Sequence, residues 1–526
     1  MTTTQIRQGE RFALAAVALF GVVACLLGFL AEAHVGFNLW DEGFLWYGVQ
    51  RVLHGEVPVR DFMSYDPGRY YWVAGLLWLF HVHGIIAVRA ATAAFAAVGV
   101  IGAGLLVLRG STGRIVARVA LCVFAMVLCL LWMLPWWKGY DAAMSVILTA
   151  SLARVLAYPS ARRLLVHGIV VGLAAVLGRN HGLYGVIACL LATPVLMLCA
   201  DKPVWHRCIR AWLAGVVLGF APILLGLILN HRFAVMFWDS IRFMLFEYKG
   251  TNLPLPVPWP WTVAVAQQPL SALIRPWLVG CFFVALPLFC VSGAALVLRR
   301  TRHDRIIANP VFAASVLTAV PYLNVAFSRA DVGHLAQAIL PCLVGFLVLP
   351  WPKQARVVVQ WLGCSVLAFA TLWVVLPLHA GYVMRTQPGW VSVDVRGDRL
   401  WMSADTAVTV KDIDELASRY VHAGGTILSV PVWPGAYALL GVRSPVYETY
   451  PLLPRNDAFQ DQEIARLRQA VPQLVLANDV AVDGRDDLRY ANTHPRIWRY
   501  ISTHYHRIGS PVGEPQLEVY LPDAEK

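Results

Sequence analysis

Long stretches without charged residues recur along the sequence before residue 380, with short polar loops between most of them. The first, Phe12–Ala31, is long enough to cross a hydrocarbon layer of roughly 30 Å as a helix. It could pass for a signal peptide, but its length and the apolar segments that follow favour a retained span. Ten further runs lie at 90–108, 115–134, 142–158, 164–178, 183–200, 211–229, 277–298, 311–327, 335–350 and 357–378. The pattern predicts an α-helical polytopic membrane protein with about eleven transmembrane helices.

The loops between these runs alternate in charge, and one set carries sixteen cations against three carboxylates. The cations are Arg7, Arg11, Arg109, Arg114, Arg118, Arg162, Arg163, Lys202, Arg207, Arg210, Arg299, Arg300, Arg302, Arg305, Lys353 and Arg356. Because positive loops remain in the cytoplasm, this set predicts a cytoplasmic N-terminus. With an odd number of spans, the chain after Leu378 is then expected in the periplasm, outside a bacterial inner membrane.

The composition agrees with a membrane protein. Of 526 residues, 58% are hydrophobic and 14% charged, and the mean hydropathy is +0.60. Soluble domains have about 25% charged residues, and disordered chains lack this much apolar surface. The net charge of +12 would suit a nucleic-acid partner. Since most of the excess lies in the orienting loops, we expect no nucleic-acid binding.

From about residue 380 the sequence becomes that of a soluble domain. Three helix patterns alternate with three strand patterns, at 412–425, 426–431, 461–470, 473–479, 494–505 and 517–521. The alternation predicts a small periplasmic α/β domain over 380–526, after a transmembrane module over 1–379. Within that module, the outer loop 32–87 has apolar and aromatic residues at helical spacing, which predicts interfacial helices at 42–53 and 70–80.

The candidate catalytic carboxylates stand in two of the predicted outer loops, 32–87 and 135–141. Asp41 and Glu42 follow the first span beside aromatic residues, where partial desolvation makes a carboxylate a better base. Asp66 lies in YDPGRYYW (65–72) and Asp141 in PWWKGYD (135–141). The structural alternatives are a helix cap for Asp41 or Asp141 and a turn residue for Asp66.

The outer loops have fewer cations than the inner loops, so those at predicted span ends are the more informative ones. They carry Lys138, Arg179, His181 and Arg329, the last followed by Asp331 and His334. At the ends of spans, such groups match the charge of a lipid-linked phosphate. The alternatives are a snorkelling side chain for Lys138, a local ion pair between Arg329 and Asp331, and structural roles for the histidines.

Metal and disulfide chemistry find little support. All ten cysteines lie at or before Cys364, and no Cys or His spacing predicts a zinc site. No cofactor is predicted, although Asp41, Glu42, Asp66 and Asp141 together would offer oxygen ligands to a divalent cation.

The sequence resembles the type C glycosyltransferase (GT-C) superfamily in the order of its motifs. These are a first span, an outer Asp-Glu pair, an amphipathic run, the YDPGRYYW stretch and a later outer Asp. The similarity is best over about 30–185. It is closest to the protein O-mannosyltransferase and lipid A aminoarabinose transferase branches. The resemblance implies a GT-C fold and transfer of a sugar from a polyprenyl-phosphate donor to a glycan, lipid or protein acceptor at the outer face.

The resemblance also implies roles for residues. Asp41 stands where the family has its general base, Glu42 where it has a supporting acid, and Asp141 at an outer-loop Asp. The donor phosphate is assigned to Arg179 and His181, which fall where the aminoarabinose branch has a phosphate-binding Lys, and to Lys138 and Arg329 by their charge at span ends. The substrate is assigned to Tyr65, Asp66, Arg69, Asp141, Asp331 and His334. The chain departs from the aminoarabinose branch, which has a Lys near Arg179 and an acid-Lys pair in place of Tyr65-Asp66. Oligosaccharyltransferase relatives hold a metal ion at such acids.

Three other functions remain open. A transporter or flippase predicts ionisable residues deep within spans, and the candidates here, Arg154 and His167, lie near the cytoplasmic face. An O-antigen ligase or polymerase would use the same class of donor lipid, with Arg and His in its outer loops. A non-catalytic scaffold would use the C-terminal domain for binding.

Overall fold

The computed structural model describes residues 3–64, 66–201, 204–263, 269–350, 356–511 and 513–523. The chain divides into two compact units. The helical unit comprises Met1–Glu32, Ala90–Leu225 and Asn252–Val383. The mixed unit comprises Ala33–Arg89, Gly226–Thr251 and Met384–Lys526. The mixed unit therefore combines the first outer loop with the C-terminal region.

The helices and strands have the following bounds. The helices are α1 Thr3–Glu32, α2 Asp41–Leu53, α3 Pro67–Phe80, α4 Ile85–Gly110, α5 Ile115–Leu131, α6 Gly139–Ala157, α7 Ala161–Leu177, α8 Arg179–Leu198, α9 Trp205–Leu229, α10 His231–Arg242, α11 Leu270–Asp304, α12 Pro310–Ser328, α13 Val332–Leu347, α14 Arg356–Val375, α15 Ala380–Thr386, α16 Ala404–Tyr420, α17 Gly435–Leu440, α18 Asp457–Ala470, α19 Tyr490–Thr493 and α20 Pro495–His504. The strands are β1 Trp390–Val395, β2 Asp398–Ser403, β3 Ile427–Val430, β4 Leu474–Asn478, β5 Tyr505–Gly509 and β6 Leu517–Pro522.

The predicted apolar runs all fall on helices. Within the described residues, eight helices are long and apolar enough to cross a membrane, namely α1, α4, α6, α8, α9, α11, α12 and α14. The other three runs form α5, α7 and α13, which have 17, 17 and 16 residues. About 17–25 residues suffice to span a bilayer, so these three are close to the lower limit. The prediction of a multi-pass membrane protein is confirmed.

Small residues bring the helices of the helical unit close together. Gly168 and Gly172 on α7 face Gly215 and Gly219 on α9, and a Cβ at any of the four would collide with the opposite backbone. Such paired G-x-x-x-G spacings let membrane helices pack at short distance. The interior is formed by α6 and α12. In the apolar stretch of 18 residues within each helix, 78% of the residues of α6 and 72% of those of α12 are buried, against 17% for α1 and for α9. The residues of α6 and α12 are therefore shielded from lipid.

The sheets of the mixed unit combine parallel and antiparallel strands. Strands β3 and β4 pair in parallel, and β6 pairs antiparallel with both β4 and β5, giving the order β3-β4-β6-β5. Strands β1 and β2 form a separate hairpin. Leu428, Val475, Leu467 and Ile501 lie in the apolar core between the sheet and its helices. The prediction of an α/β fold for this region is confirmed, while the predicted boundary at 379/380 stays a prediction.

The two helices predicted in the outer loop are present as α2 and α3. Helix α2 buries most of its side chains, including Trp46 and Tyr47. Helix α3 instead exposes Trp78, Leu79 and Phe80 at its end, with 59–71% of each surface accessible. An exposed aromatic and aliphatic end favours contact with a membrane surface for α3, and this placement stays a prediction.

Candidate active site

Asp41 is the first residue of α2, and its neighbour Glu42 has a different environment. Asp41 is half-buried, and its carboxylate has no hydrogen bond or ion pair in the described part of the chain. The N-cap position belongs to Trp40, without a side-chain cap, so Asp41 does not serve as the cap. A half-buried carboxylate without a partner remains able to accept a proton.

Glu42 is held inside the mixed unit by Arg89, the last residue of the segment Ala33–Arg89. Glu42 is 1% exposed and Arg89 is 4% exposed. The Arg89 Nε and Nη2 atoms donate to Glu42 Oε1 at 2.8 and 2.6 Å, and the amide of Asn38 donates to Oε2 at 2.8 Å. Arg89 also donates to the carbonyl oxygens of Ala33, Val35 and Gly36, at 2.7, 3.3 and 2.6 Å. The pair therefore fixes the loop that leads into Asp41.

Burial raises the pKa of Glu42 above its ordinary value, while the charge and hydrogen bonds of Arg89 and the amide of Asn38 oppose that rise. Both carboxylate oxygens are already occupied by these donors. Glu42 is accordingly suited to position Asp41, and its predicted role as supporting acid stays a prediction. Sequence reasoning missed Arg89, although a single cation near the start of an apolar run was a usable signal.

The C-terminal part of the mixed unit also holds this loop. The amide of Gly435 donates to Leu39 O at 2.9 Å, and the amide of Gly36 donates to Trp401 O at 2.7 Å. Within the first turn of α2, a Cβ at Gly43 would lie 2.5 Å from Gly435 Cα, so only glycine fits there. Residues near 400 and 435 thus set the position of the Asp41 loop.

We expect Gly43→Ala to reduce sugar transfer more than about 10-fold, since the added methyl forces α2 away from Gly435 and such overpacking costs about 1–3 kcal/mol. The control is Gly75→Ala on α3, where a Cβ meets nothing within 4 Å. Transfer rates of the two purified variants are compared with wild type. Equal activity of the two variants would show that the contact with Gly435 is not needed.

The second predicted acid of the mixed unit has a local partner. Asp66 precedes α3 and pairs with Arg69, with 3.1 Å between Oδ2 and Nη2. Asp66 forms no side-chain cap on α3. Tyr65 lies outside the described residues. The assignment of Tyr65, Asp66 and Arg69 to substrate binding stays a prediction.

In the helical unit, Asp141 belongs to a buried hydrogen-bonded chain. Asp141 lies in the first turn of α6, and its Oδ1 is 2.6 Å from His181 Nε2 at the start of α8. His181 Nδ1 is 2.8 Å from the hydroxyl of Tyr322 on α12. Since a carboxylate only accepts, Nε2 carries the proton toward Asp141 and Tyr322 donates to Nδ1 when the ring is neutral. Asp141, His181 and Tyr322 are 7%, 3% and 0% exposed.

Aromatic and amide groups enclose this chain. The ring of Tyr322 stacks on His181 at 5.6 Å between centroids, and Tyr184 lies 5.0 Å from Tyr322. Asn324 Nδ2 donates to the Tyr184 hydroxyl at 2.9 Å. The polar residues Tyr184, Tyr322 and Asn324 were missed from the sequence, where hydroxyls and an amide inside apolar runs were the available signal. The enclosure keeps Asp141 and His181 in fixed orientations.

The cations of the helical unit differ in their partners. Lys138 precedes α6, is half-buried, and its ammonium has no hydrogen bond or ion pair among the residues the structure describes. Arg179 begins α8 and is half-buried. An ammonium group held at a helix start without a counter-charge is suited to an anionic ligand.

Arg329, Asp331 and His334 form a local cluster where α12 ends and α13 begins. Arg329 Nε donates to Asp331 Oδ2 at 2.8 Å, and Asp331 Oδ1 caps α13 by accepting from the amide of His334 at 2.8 Å. Burial acts to raise the pKa of Asp331, but hydrogen bonds from His334 and the charges of His334 and Arg329 lower it to about 2. The structural alternative of an ion pair is thus realised, while ligand binding by Arg329 stays a prediction.

The predicted acids do not form a cluster of metal ligands among the described residues. No group of three or more His, Cys, Asp or Glu is arranged to hold a metal ion among the described residues. Asp41, Glu42 and Asp66 belong to the mixed unit, and Asp141 belongs to the helical unit.

No protein-family model matches the sequence, and no curated protein matches it significantly. Its fold nevertheless resembles solved structures. ArnT from Cupriavidus metallidurans bound to undecaprenyl phosphate matches with a TM-score of 0.56 at 12% identity, over 97% of this chain and 98% of that chain. The apo state of ArnT matches with a TM-score of 0.54 at 11% identity, over 96% and 97%.

A third similarity is to the oligosaccharyltransferase of Archaeoglobus fulgidus in its apo form. It has a TM-score of 0.46 at 12% identity and covers 97% of this chain and 74% of that chain, which adds no support for the fold. The two ArnT structures show the fold of this chain. The chain has the GT-C fold that the sequence resemblance predicted.

Proposed function

We propose that the protein transfers a sugar from a polyprenyl-phosphate donor to the hydroxyl of a glycan, lipid or protein acceptor. The fold similarity to ArnT bound to undecaprenyl phosphate supports this class of donor. The observation that carries the proposal is the pair of adjacent acids, with Glu42 locked by Arg89 and Asp41 left without a partner in the described residues. This combination is what a positioned general base requires.

In the proposed reaction, Asp41 accepts the proton of the acceptor hydroxyl as its oxygen attacks the anomeric carbon. A new carbon–oxygen bond forms while the bond between the sugar and the lipid phosphate breaks. The electron pair of the broken bond leaves with the phosphate. Because there is one displacement, the configuration at the anomeric carbon is inverted. Glu42 is the positioning residue for Asp41.

The departing lipid phosphate gains negative charge and needs cationic or hydrogen-bonding partners. We assign this role to Lys138, Arg179 and Arg329 of the helical unit, with His181 beside Asp141. Asp141, Asp331 and His334 are assigned to substrate binding, as are Tyr65, Asp66 and Arg69. Support comes from their residue types and, for Lys138, from the absence of a counter-charge among the described residues.

The proposed location is the inner membrane of a bacterium, with the N-terminus in the cytoplasm and the reaction on the periplasmic face. The alternation of basic and neutral loops supports this orientation. Lys138 and Arg329 then lie at the outer ends of their helices.

The direct test is transfer of radiolabelled sugar by the purified protein from a panel of polyprenyl-phosphate sugars to membrane glycans, lipids and peptides. We expect one class of donor to be consumed with release of polyprenyl phosphate and inversion at the anomeric carbon. If no donor in a broad panel is bound or consumed, the proposed function is wrong.

Lys138→Met is expected to raise the KM for the donor about 10-fold or more, because a charge-assisted contact to phosphate is worth about 1.5–3 kcal/mol. Lys411→Met is the matched control, since Lys411 is exposed on α16 and pairs with Glu415 at 3.4 Å. Donor titrations of initial rates measure both variants. An unchanged KM in Lys138→Met would remove Lys138 from phosphate binding.

A further inference from the structure

A cavity of about 780 Å³ lies within the helical unit. It is formed by the ends of α4, α6 and α11 and by the start of α12. The opposite ends of α6 and α12 carry Lys138 and Arg329. Arg154, on the cavity side, lies roughly 20 Å along α6 from Asp141, at 1.5 Å per residue. The cavity is therefore separate from the candidate active-site residues of this unit.

Four arginines line this cavity. They are Arg109, Arg154, Arg163 and Arg300. Its described lining contains no Asp or Glu. In the part of the chain described, none of the four forms an ion pair with a carboxylate. Arg163 is held in place by its hydrogen bond to Arg154 O at 2.8 Å and by Tyr158, 5.3 Å from its guanidinium.

Orientation by positive charge does not explain this arrangement by itself. The same loops carry Arg162 and Arg299, which do not line the cavity. Arg109, Arg154 and Arg300 are exposed like these two, so the four cavity arginines differ from them in lining one concave surface. Orientation in the membrane depends on how many cations a loop carries and not on whether they share one concave surface. Four arginines on the lining of one cavity, with no carboxylate in its described lining, instead indicate a bound anion.

The rest of the cavity lining indicates what kind of molecule the anionic group belongs to. Leu105, Leu296, Val297 and Val311 contribute apolar surface beside the arginines. The volume lies in the range of about 300–1,000 Å³ that is typical of sites for organic ligands. Basic pockets between membrane helices, near the bilayer surface, bind phosphate-bearing lipid headgroups. We infer that this cavity binds the phosphodiester headgroup of an anionic membrane phospholipid, at a site distinct from that of the sugar donor.

The test uses two double variants with equal net charge. Arg154→Gln/Arg300→Gln removes two cavity arginines, and Arg162→Gln/Arg299→Gln removes two neighbouring arginines outside the cavity. Native mass spectrometry of the full-length chain, titrated with phosphatidylglycerol, measures the apparent affinity for the first bound lipid. We expect the cavity variant to bind at least about 10-fold more weakly than wild type and the control variant to bind like wild type.

Phosphatidylcholine and inorganic phosphate are titrated in parallel. Equal loss of phosphatidylglycerol in both double variants would overturn the inference, because a general surface charge would then explain binding. Binding of inorganic phosphate as tight as that of phosphatidylglycerol would overturn the lipid assignment. Equal binding of phosphatidylcholine would overturn the role of headgroup charge.

Ala157→Trp provides a second variant that leaves the charges unchanged. Ala157 is an exposed residue of the cavity lining, so an indole there fills space without disturbing the core. We expect it to weaken phosphatidylglycerol binding as well. Unchanged binding in this variant would contradict a site inside the cavity. The measurement needs no transfer activity, so failure of the proposed function leaves its outcome readable.

Discussion

Asp41→Asn is expected to lower the rate of sugar transfer by about 100- to 10,000-fold, the range that a positioned general base contributes. Asparagine has nearly the same shape but cannot accept the proton of the acceptor hydroxyl. Because the surrounding loop is held by Glu42 and Arg89, the substitution should leave its structure intact. Donor binding, measured by retention of labelled polyprenyl-phosphate sugar, should remain near wild type.

Asp405→Asn is the matched control, since Asp405 also lies in the first turn of a helix of the mixed unit but is exposed. It should transfer sugar like wild type. Turnover retained in Asp41→Asn would keep the proposed transferase activity but assign the proton to another group. Loss of donor binding together with turnover would instead indicate that Asp41 contacts the donor.

Arg89→Leu is expected to have the largest effect on stability. Removal of one partner from a buried ion pair costs about 3–5 kcal/mol, because the remaining charge is left in an apolar environment. The carbonyl groups of Ala33, Val35 and Gly36 lose their donor at the same time. We expect a lower Tm of the purified protein in detergent and loss of transfer, since the loop before Asp41 is no longer fixed.

Arg399→Leu is the control, because Arg399 is exposed in the same unit and forms no side-chain ion pair among the described residues. The double variant Glu42→Leu/Arg89→Leu should recover part of the Tm, since no unpaired charge remains. It should stay inactive, because the loop still lacks its hydrogen bonds. A Tm of Arg89→Leu equal to that of Arg399→Leu would contradict a stabilising pair.

The membrane helices could be predicted from the sequence because lipid leaves the backbone few alternatives. Inside a bilayer every amide and carbonyl group needs a partner within the protein, so an apolar run of sufficient length forms a helix. The run containing Phe12–Ala31 needed no information from other parts of the chain. Strands β3, β4 and β6 were likewise predicted, because their apolar residues lie between clear helix patterns.

The hairpin of β1 and β2 was missed. Its turn places Arg396 and Gly397 at positive φ angles of 54° and 90°, a conformation for which Asn-Gly is the usual signal. Arginine at the first position concealed it. Strand β5 was missed because His506 and Arg507 give it an exposed and polar face. In each case the pairing partner, rather than local preference, determines the strand.

The acidic residues of the candidate site could be predicted from the sequence, but the residues that contact them could not. Asp41, Glu42 and Asp141 stood out in the sequence, yet their environments depend on distant residues. Arg89 is 47 positions from Glu42, and Tyr322 is 141 positions from His181. Without knowledge of these partners, the sequence does not reveal that the Glu42 carboxylate is hydrogen-bonded to Arg89 while the Asp41 carboxylate has no partner in the described residues.

The mixed unit is built from segments that are far apart in the sequence, and this affects how it folds during synthesis. Residues 33–89 emerge from the ribosome early, but they pack with residues 384–526, which emerge last. During synthesis, the Asp41 loop therefore lacks its contacts with Trp401 and Gly435 until nearly the whole chain has been made. Chains that stop near residue 385 would leave the ribosome without these contacts, so we expect premature termination to leave the Asp41 loop unfixed.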